Sequence, residues 1–194
     1  VSLPTPDHNA LRFVPADGPV LEPVTKFGGQ PVWLAEPTWP LSAELGRPMR
    51  FLGQIRLPGE SVRLAYLFLT DDPEDAIDST WELEAGENAC FCVPGQVPDF
   101  VTVASLRRGP TFGEDHLVEF GAPPEDDDAD SLHSRVGGAP SWLQAEETPA
   151  GDWRFLAQLD SCDLPFDVNF GDAGVGYAFV DETTGEGRFL WQCG

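Results

Sequence analysis

The feature that most constrains this chain is that it says the same thing twice. Lys26-Phe-Gly-Gly-Gln-Pro-Val-Trp-Leu34 returns as Arg135-Val-Gly-Gly-Ala-Pro-Ser-Trp-Leu143. Arg50-Phe-Leu-Gly-Gln-Ile55 returns as Arg154-Phe-Leu-Ala-Gln-Leu159, and Tyr66-Leu-Phe68 as Tyr177-Ala-Phe179. The order is kept and the offsets are steady at 109, 104 and 111 residues. Two copies of one unit, packed about an approximate two-fold axis, are the simplest cause. Each copy is too short to bury its own apolar segments, so the pair is expected to form one domain. Repeat one is set at about 26–120, an acidic linker at about 121–131 and repeat two at about 132–194.

Proline (19) and glycine (20) punctuate the whole chain, which favours short strands over long helices. Strands are expected at 50–57, 62–70, 89–93, 100–105, 116–120, 153–159, 175–180 and 188–192. Pro58-Gly59 and Gly185-Glu-Gly187 read as turns between antiparallel neighbours. Two short helical stretches are expected, one at Pro73–Leu83 with Asp72 as its cap, the other a turn or short helix at Ala139–Gln144. Thirteen Phe and six Trp supply the bulk of an interior.

The charge balance excludes some functions. There are 33 acidic side chains against 11 basic ones, a net charge of −22. Such a field repels phosphate backbones and anionic membrane surfaces, so neither nucleic acid nor membrane is an expected partner. It attracts basic proteins and speeds their encounter. Its other reading is solubility, in a salt-rich or acid-biased proteome. No apolar run is long enough for a transmembrane helix. Val1–His8 lacks the pattern of a secretion signal, and four cysteines do not make a disulfide scaffold, so cytoplasmic residence is the default expectation.

Lys26-Phe-Gly-Gly-x-Pro-x-Trp-Leu34, then Trp39-Pro40, then Phe51-Leu-x-Gln-Ile55 and Gly171-Asp-x-Gly-x-Gly-Tyr-x-Phe179 together resemble the YwqG-like family (DUF1963), a domain of unknown function. The resemblance runs from about Lys26 to Trp191. It implies a mainly β, internally duplicated antiparallel sheet, the YwqG-like roll, with a few short helices, in a bacterial protein. It implies no catalytic residues and no cofactor. Where many relatives have Trp before the Gly-Asp pair, Phe170 stands here, which argues against a strict chemical role for that ring. Some members lie beside toxin genes, which implies an immunity role.

Each candidate site carries a structural reading beside the functional one. Gly28-Gly29 and Gly137-Gly138 are either tight turns or backbone cradles for an anion. Strand alternation puts Phe51, Gly53 and Ile55 on one face and Leu52, Gln54 and Arg56 on the other. Gln54 and its equivalent Gln158 then either hold the backbone of their own Gly-Gly turns or face a cleft between the copies. Asp172 either ties a glycine-rich turn or serves as a functional carboxylate. Cys90 and Cys92 alternate along a strand, which suits packing. With Cys162 and Cys193 their spacing does not suit zinc. Asp126, Asp128 and Asp130 imitate the opening of a calcium loop whose later positions fail. No HExxH or G-x-S-x-G pattern supports hydrolysis.

The leading expectation is therefore a non-enzymatic binding protein, an acidic immunity or inhibitor protein docking a basic, toxin-like partner. The alternative is a ligand-binding or enzymatic domain with a pocket between the repeats, walled by Trp33, Gln54, Trp142, Gln158 and Asp172. No metal and no cofactor are expected under either reading.

Overall fold

The structure is a computed structural model that describes residues 9–74, 77–122 and 132–194. Twelve strands appear among them: β1 (Asn9–Pro15), β2 (Lys26–Phe27), β3 (Trp39–Leu41), β4 (Arg50–Arg56), β5 (Leu64–Leu69), β6 (Asn88–Val93), β7 (Thr102–Ala104), β8 (His116–Gly121), β9 (Arg135–Val136), β10 (Arg154–Asp160), β11 (Val175–Val180) and β12 (Gly187–Gln192). All eight strands expected from the apolar runs are among them. The short helix expected at 73–83 is not, and of the two readings of 139–144, turn or short helix, the helix is not the one found. Residues 77–83 and 139–144 form turns and bends, and no helix occurs among the described residues. Most of the expected acidic linker, with Asp126, Asp128 and Asp130, lies outside the described residues, as do Val1–His8.

Ten strands make one antiparallel sheet in the order β12-β11-β10-β9-β1-β8-β2-β4-β5-β6. The sheet curls until its two ends meet. Glu186, just before β12, bridges Phe91 of β6, and the Cys92 amide donates to the Gly185 carbonyl at 2.7 Å. Gly187 allows this approach, since a Cβ there would lie 2.5 Å from the Cys90 sulfur. The result is a nearly closed barrel with little free edge. A separate pair, β3 with β7, lies outside it.

The strand order reads the same from either end. In each half a long strand pairs inward with a two-residue strand and outward with a strand that pairs with one more: β4 with β2 and β5, then β5 with β6; β10 with β9 and β11, then β11 with β12. The two central strands, β1 and β8, pair over six residues, from Ala10 with Gly121 to Pro15 with His116. β1 therefore holds the place in the second half that β8 holds in the first. The second half borrows its innermost strand from residues 9–15, and Gly121 belongs to β8.

Each long strand carries a bulge at one position, between Phe51 and Gly53 in β4 and between Phe155 and Ala157 in β10. A bulge places two residues opposite one and breaks strict alternation. This corrects the expected faces. Leu52 joins Ile55 in the barrel interior, while Phe51 turns outward with Tyr66 and Phe68. In β10, Leu156 and Leu159 point in and Phe155 points out.

The hydrophobic material forms three bodies. The barrel interior is shared: Phe27, Leu52, Leu67 and Cys90 of the first half meet Leu156, Ala178, Val180 and Phe189 of the second. Outside the barrel each half has its own covered face. Trp33 and Trp39 lie over Phe51, Tyr66, Phe68 and Phe91, and Trp142 and Trp153 over Phe155, Tyr177, Phe179 and Leu190. The halves thus share the interior, and outside each is covered mainly by its own loop, with Leu83 of the first half reaching the second half's outer face.

Candidate functional site

Trp33 and Trp142 follow the two Gly-Gly turns, and the turns are what fold them back over the sheet. Gly28, Gly29, Gly137 and Gly138 all have φ between 60° and 76°, the left-handed region that glycine enters without steric cost. Their amides are largely occupied. Gly28 and Gly137 donate to Leu52 and Leu156 of the neighbouring strand at 2.9 Å each, and Gly29 donates to Gly113 at 2.8 Å. These pairs act as turns, and Gly28, Gly29 and Gly137 have no amide left to cradle an anion.

The returning loop is then sewn down by the repeated polar residues. Val32 donates its amide to Gln54 Oε1 at 2.9 Å, and Gln54 Nε2 donates to the Val24 carbonyl at 2.9 Å. In the other half Ser141 donates to Gln158 Oε1 at 2.9 Å, and Gln158 Nε2 donates to His133 at 3.2 Å. The Tyr66 hydroxyl donates to the Val32 carbonyl at 2.7 Å and accepts from Leu34, while Tyr177 does the same with Ser141 and Leu143 at 2.9 Å each. Trp33 lies 5.1 Å from the Tyr66 ring and Trp142 4.5 Å from the Tyr177 ring. Burial raises both phenols to about 12, against the loop amides of Leu34 and Leu143, which favour the phenolate.

The five residues expected to wall a pocket between the repeats are accordingly not brought together. Trp33 and Gln54 serve the first half's outer face, and Trp142 and Gln158 the second's. Both glutamines are fully buried with their amides engaged by their own loops. Asp172 sits exposed in a turn, where its carbonyl accepts from Gly194 at 3.0 Å. The cysteines are all unpaired. Cys90 and Cys92 lie in the barrel interior, where burial pushes their thiols up, that of Cys92 to about 11. Cys162 is exposed, and no cluster of metal-ligating side chains occurs among the described residues.

Sequence reasoning missed a groove that touches one of the five. Its volume is about 670 Å³, and it is lined by residues 16–21, 29–33, 107–108 and 113–115, with none from 132–194. Trp33 forms part of its wall, and the Trp33 indole donates to the Arg107 carbonyl at 3.0 Å. Gln30 clamps the same rim through both amide atoms, donating to Gly109 O at 2.9 Å and accepting from Gly109 N at 3.1 Å. Beneath it Lys26, the one lysine, is fully buried against Asp115 and donates to Gln30 O at 2.7 Å. Burial lowers the Lys26 ammonium below its ordinary range, and Asp115 acts against that shift. The arginines on the rim, Arg107 and Arg108, are the only adjacent basic pair in a chain with 11 bases, and that adjacency is the signal by which the sequence marks the groove.

No protein-family model matches the sequence, and no curated protein matches it.

Proposed function

We propose that this is a non-enzymatic binding protein, with an acidic surface that docks a basic protein partner. The observation that carries the reading is charge. Even if every base were paired, 22 of the 33 acids would be left over, far more than solubility demands of a small domain. The polar side chains that the two halves repeat are spent on their own loops, which removes them as catalytic candidates and favours a surface role. We further propose that the chain belongs to the YwqG-like family and has its roll, on the motifs alone, and that an immunity or inhibitor role towards a toxin-like partner is the form this docking takes. Its four unpaired thiols favour a reducing compartment such as the cytoplasm.

The test is binding to a basic protein, taken first from any toxin-like product encoded beside its gene, measured at about 20 and 200 mM salt, where the screening length falls severalfold. The expected result is capture at low salt and an association rate at least tenfold slower at high salt. No binding at low salt would contradict the reading, because steering by opposite charge is strongest there.

A further inference from the structure

The groove beside Trp33 is lined by the chain's one adjacent pair of arginines, Arg107 and Arg108. Among the described residues neither Arg107 nor Arg108 has a hydrogen-bonding or carboxylate partner for its guanidinium. Several other arginines find carboxylates: Arg50 pairs with Asp71, Arg154 with Glu182, and Arg188 with Glu84 and Glu186, while Arg56 donates to the Pro23 carbonyl instead. In a chain with three acids to each base, two neighbouring unpaired guanidiniums on one rim are a departure that the fold does not need.

The wall beside them is apolar. Leu21 is 78% exposed, the largest exposure among the large hydrophobic side chains of the described residues, and it lines the groove with Pro19, Val20, Pro31 and Trp33. Exposed leucine against an aromatic wall is surface that a ligand's apolar body can cover. The rim is held in place before any ligand arrives, by the Gln30 clamp on Gly109 and the Trp33 indole on Arg107. That lowers the ordering cost of binding. The volume suits a small molecule.

We propose that this groove binds a small carboxylic acid with an apolar body, the carboxylate forked by Arg107 and Arg108 and the body laid against Leu21 and Trp33. Planar guanidiniums suit a carboxylate in two-bond geometry. The charge of the ligand is limited from the other side. Asp17 and Glu114 also line the groove, while Lys26 and Asp115 neutralise each other below it. The two guanidiniums and those two acids cancel, so the lining carries no net charge in a chain of −22; a single carboxylate gains both guanidinium contacts there, and a polyphosphate would be repelled by the two acids and by the whole molecule. The proposal does not rest on the acidic docking surface and stands or falls without it.

The probes are decanoate, butyrate and decyl phosphate, with affinity by calorimetry and the site by the Trp33 indole N–H resonance. Decanoate is expected to bind one-to-one and shift that resonance, with butyrate and decyl phosphate each at least tenfold weaker. Arg107→Gln/Arg108→Gln is expected to weaken decanoate at least tenfold with the melting temperature unchanged, since both side chains are exposed. Leu21→Ser is expected to weaken decanoate and leave butyrate as it was. Decyl phosphate binding as tightly as decanoate would overturn the carboxylate assignment. Absent decanoate binding, binding unchanged in the arginine double variant, or shifts that spare Trp33 would overturn the site.

Discussion

At the scale of single residues, the two halves solve one packing problem with different pairs. Gly53 pairs with Phe27 across the ladder, and a Cβ on Gly53 would lie 2.6 Å from the Phe27 ring. The equivalent pair in the other half is Ala157 with Val136. The larger ring requires the glycine, and the smaller Val admits the methyl. Gly53→Ala alone is therefore expected to destabilise by about 1–3 kcal/mol through overpacking. Phe27→Val alone is expected to destabilise by about 2 kcal/mol through the space it empties. The double variant rebuilds the pair that already works in the second half. Its measured loss in urea unfolding should fall at least 1 kcal/mol short of the sum, as contacting residues couple on that order. Strict additivity would show that the two positions are not equivalent. The same scale explains why the glutamines read ambiguously in the sequence. A Gln beside Leu in an apolar strand announces a buried amide that needs partners. Whether loop or ligand supplies them depends on a turn that returns from 22 residues away, as Val32 does to Gln54.

At the scale of elements, the apolar runs revealed the long strands, because six consecutive buried residues such as Leu64–Leu69 leave little room for another reading. The two-residue strands β2 and β9 were illegible, being too short to carry a period. β1 was illegible for another reason, since its role depends on pairing with β8 more than 100 residues later. The bulge in each long strand escaped because alternation assumes one residue per rung. The helix expected at 73–83 rested on Asp72 and Pro73. Asp72 does accept from Glu74 at 3.0 Å, but the following segment is drawn off by packing, with Leu83 on the second half's outer face and Trp81 edge-on to Trp191 at 5.8 Å.

The tyrosine-bearing strands β5 and β11 make a prediction about pH. Both phenols titrate near 12 when folded and near 10 when unfolded. Above pH 10 the unfolded chain therefore releases protons that the folded one keeps, and stability falls as pH rises towards 12. Each tyrosine removes about 1.4 kcal/mol per pH unit in that window. The chain has two tyrosines, so tyrosinate absorbance reports these two alone. A single step is expected above pH 10, coincident with loss of the folded far-ultraviolet signal. Phenolate appearing near pH 10 in a chain that is still folded would contradict their burial beneath the Trp33 and Trp142 loops.

At the scale of the molecule, the repeated motifs turn out to be devices of folding, and the parts that do not repeat are the functional candidates. The Gly-Gly turn, the bulge, the glutamine and the tyrosine each appear twice and each hold a loop. The groove with Arg107 and Arg108 appears once among the described residues, as does the outer pair β3 and β7. The sequence displayed the duplication openly and concealed the groove, whose wall is assembled from four separate stretches.

The central claim is that the halves share one interior and so unfold together. Native-state hydrogen exchange on the amides of Leu64–Leu69 and Val175–Val180 tests it most directly. One opening free energy for both strands, with the same dependence on denaturant and equal to that of global unfolding, is the expected result. Exchange of either strand through a smaller opening that leaves the other protected would show two bodies, and would contradict the shared barrel.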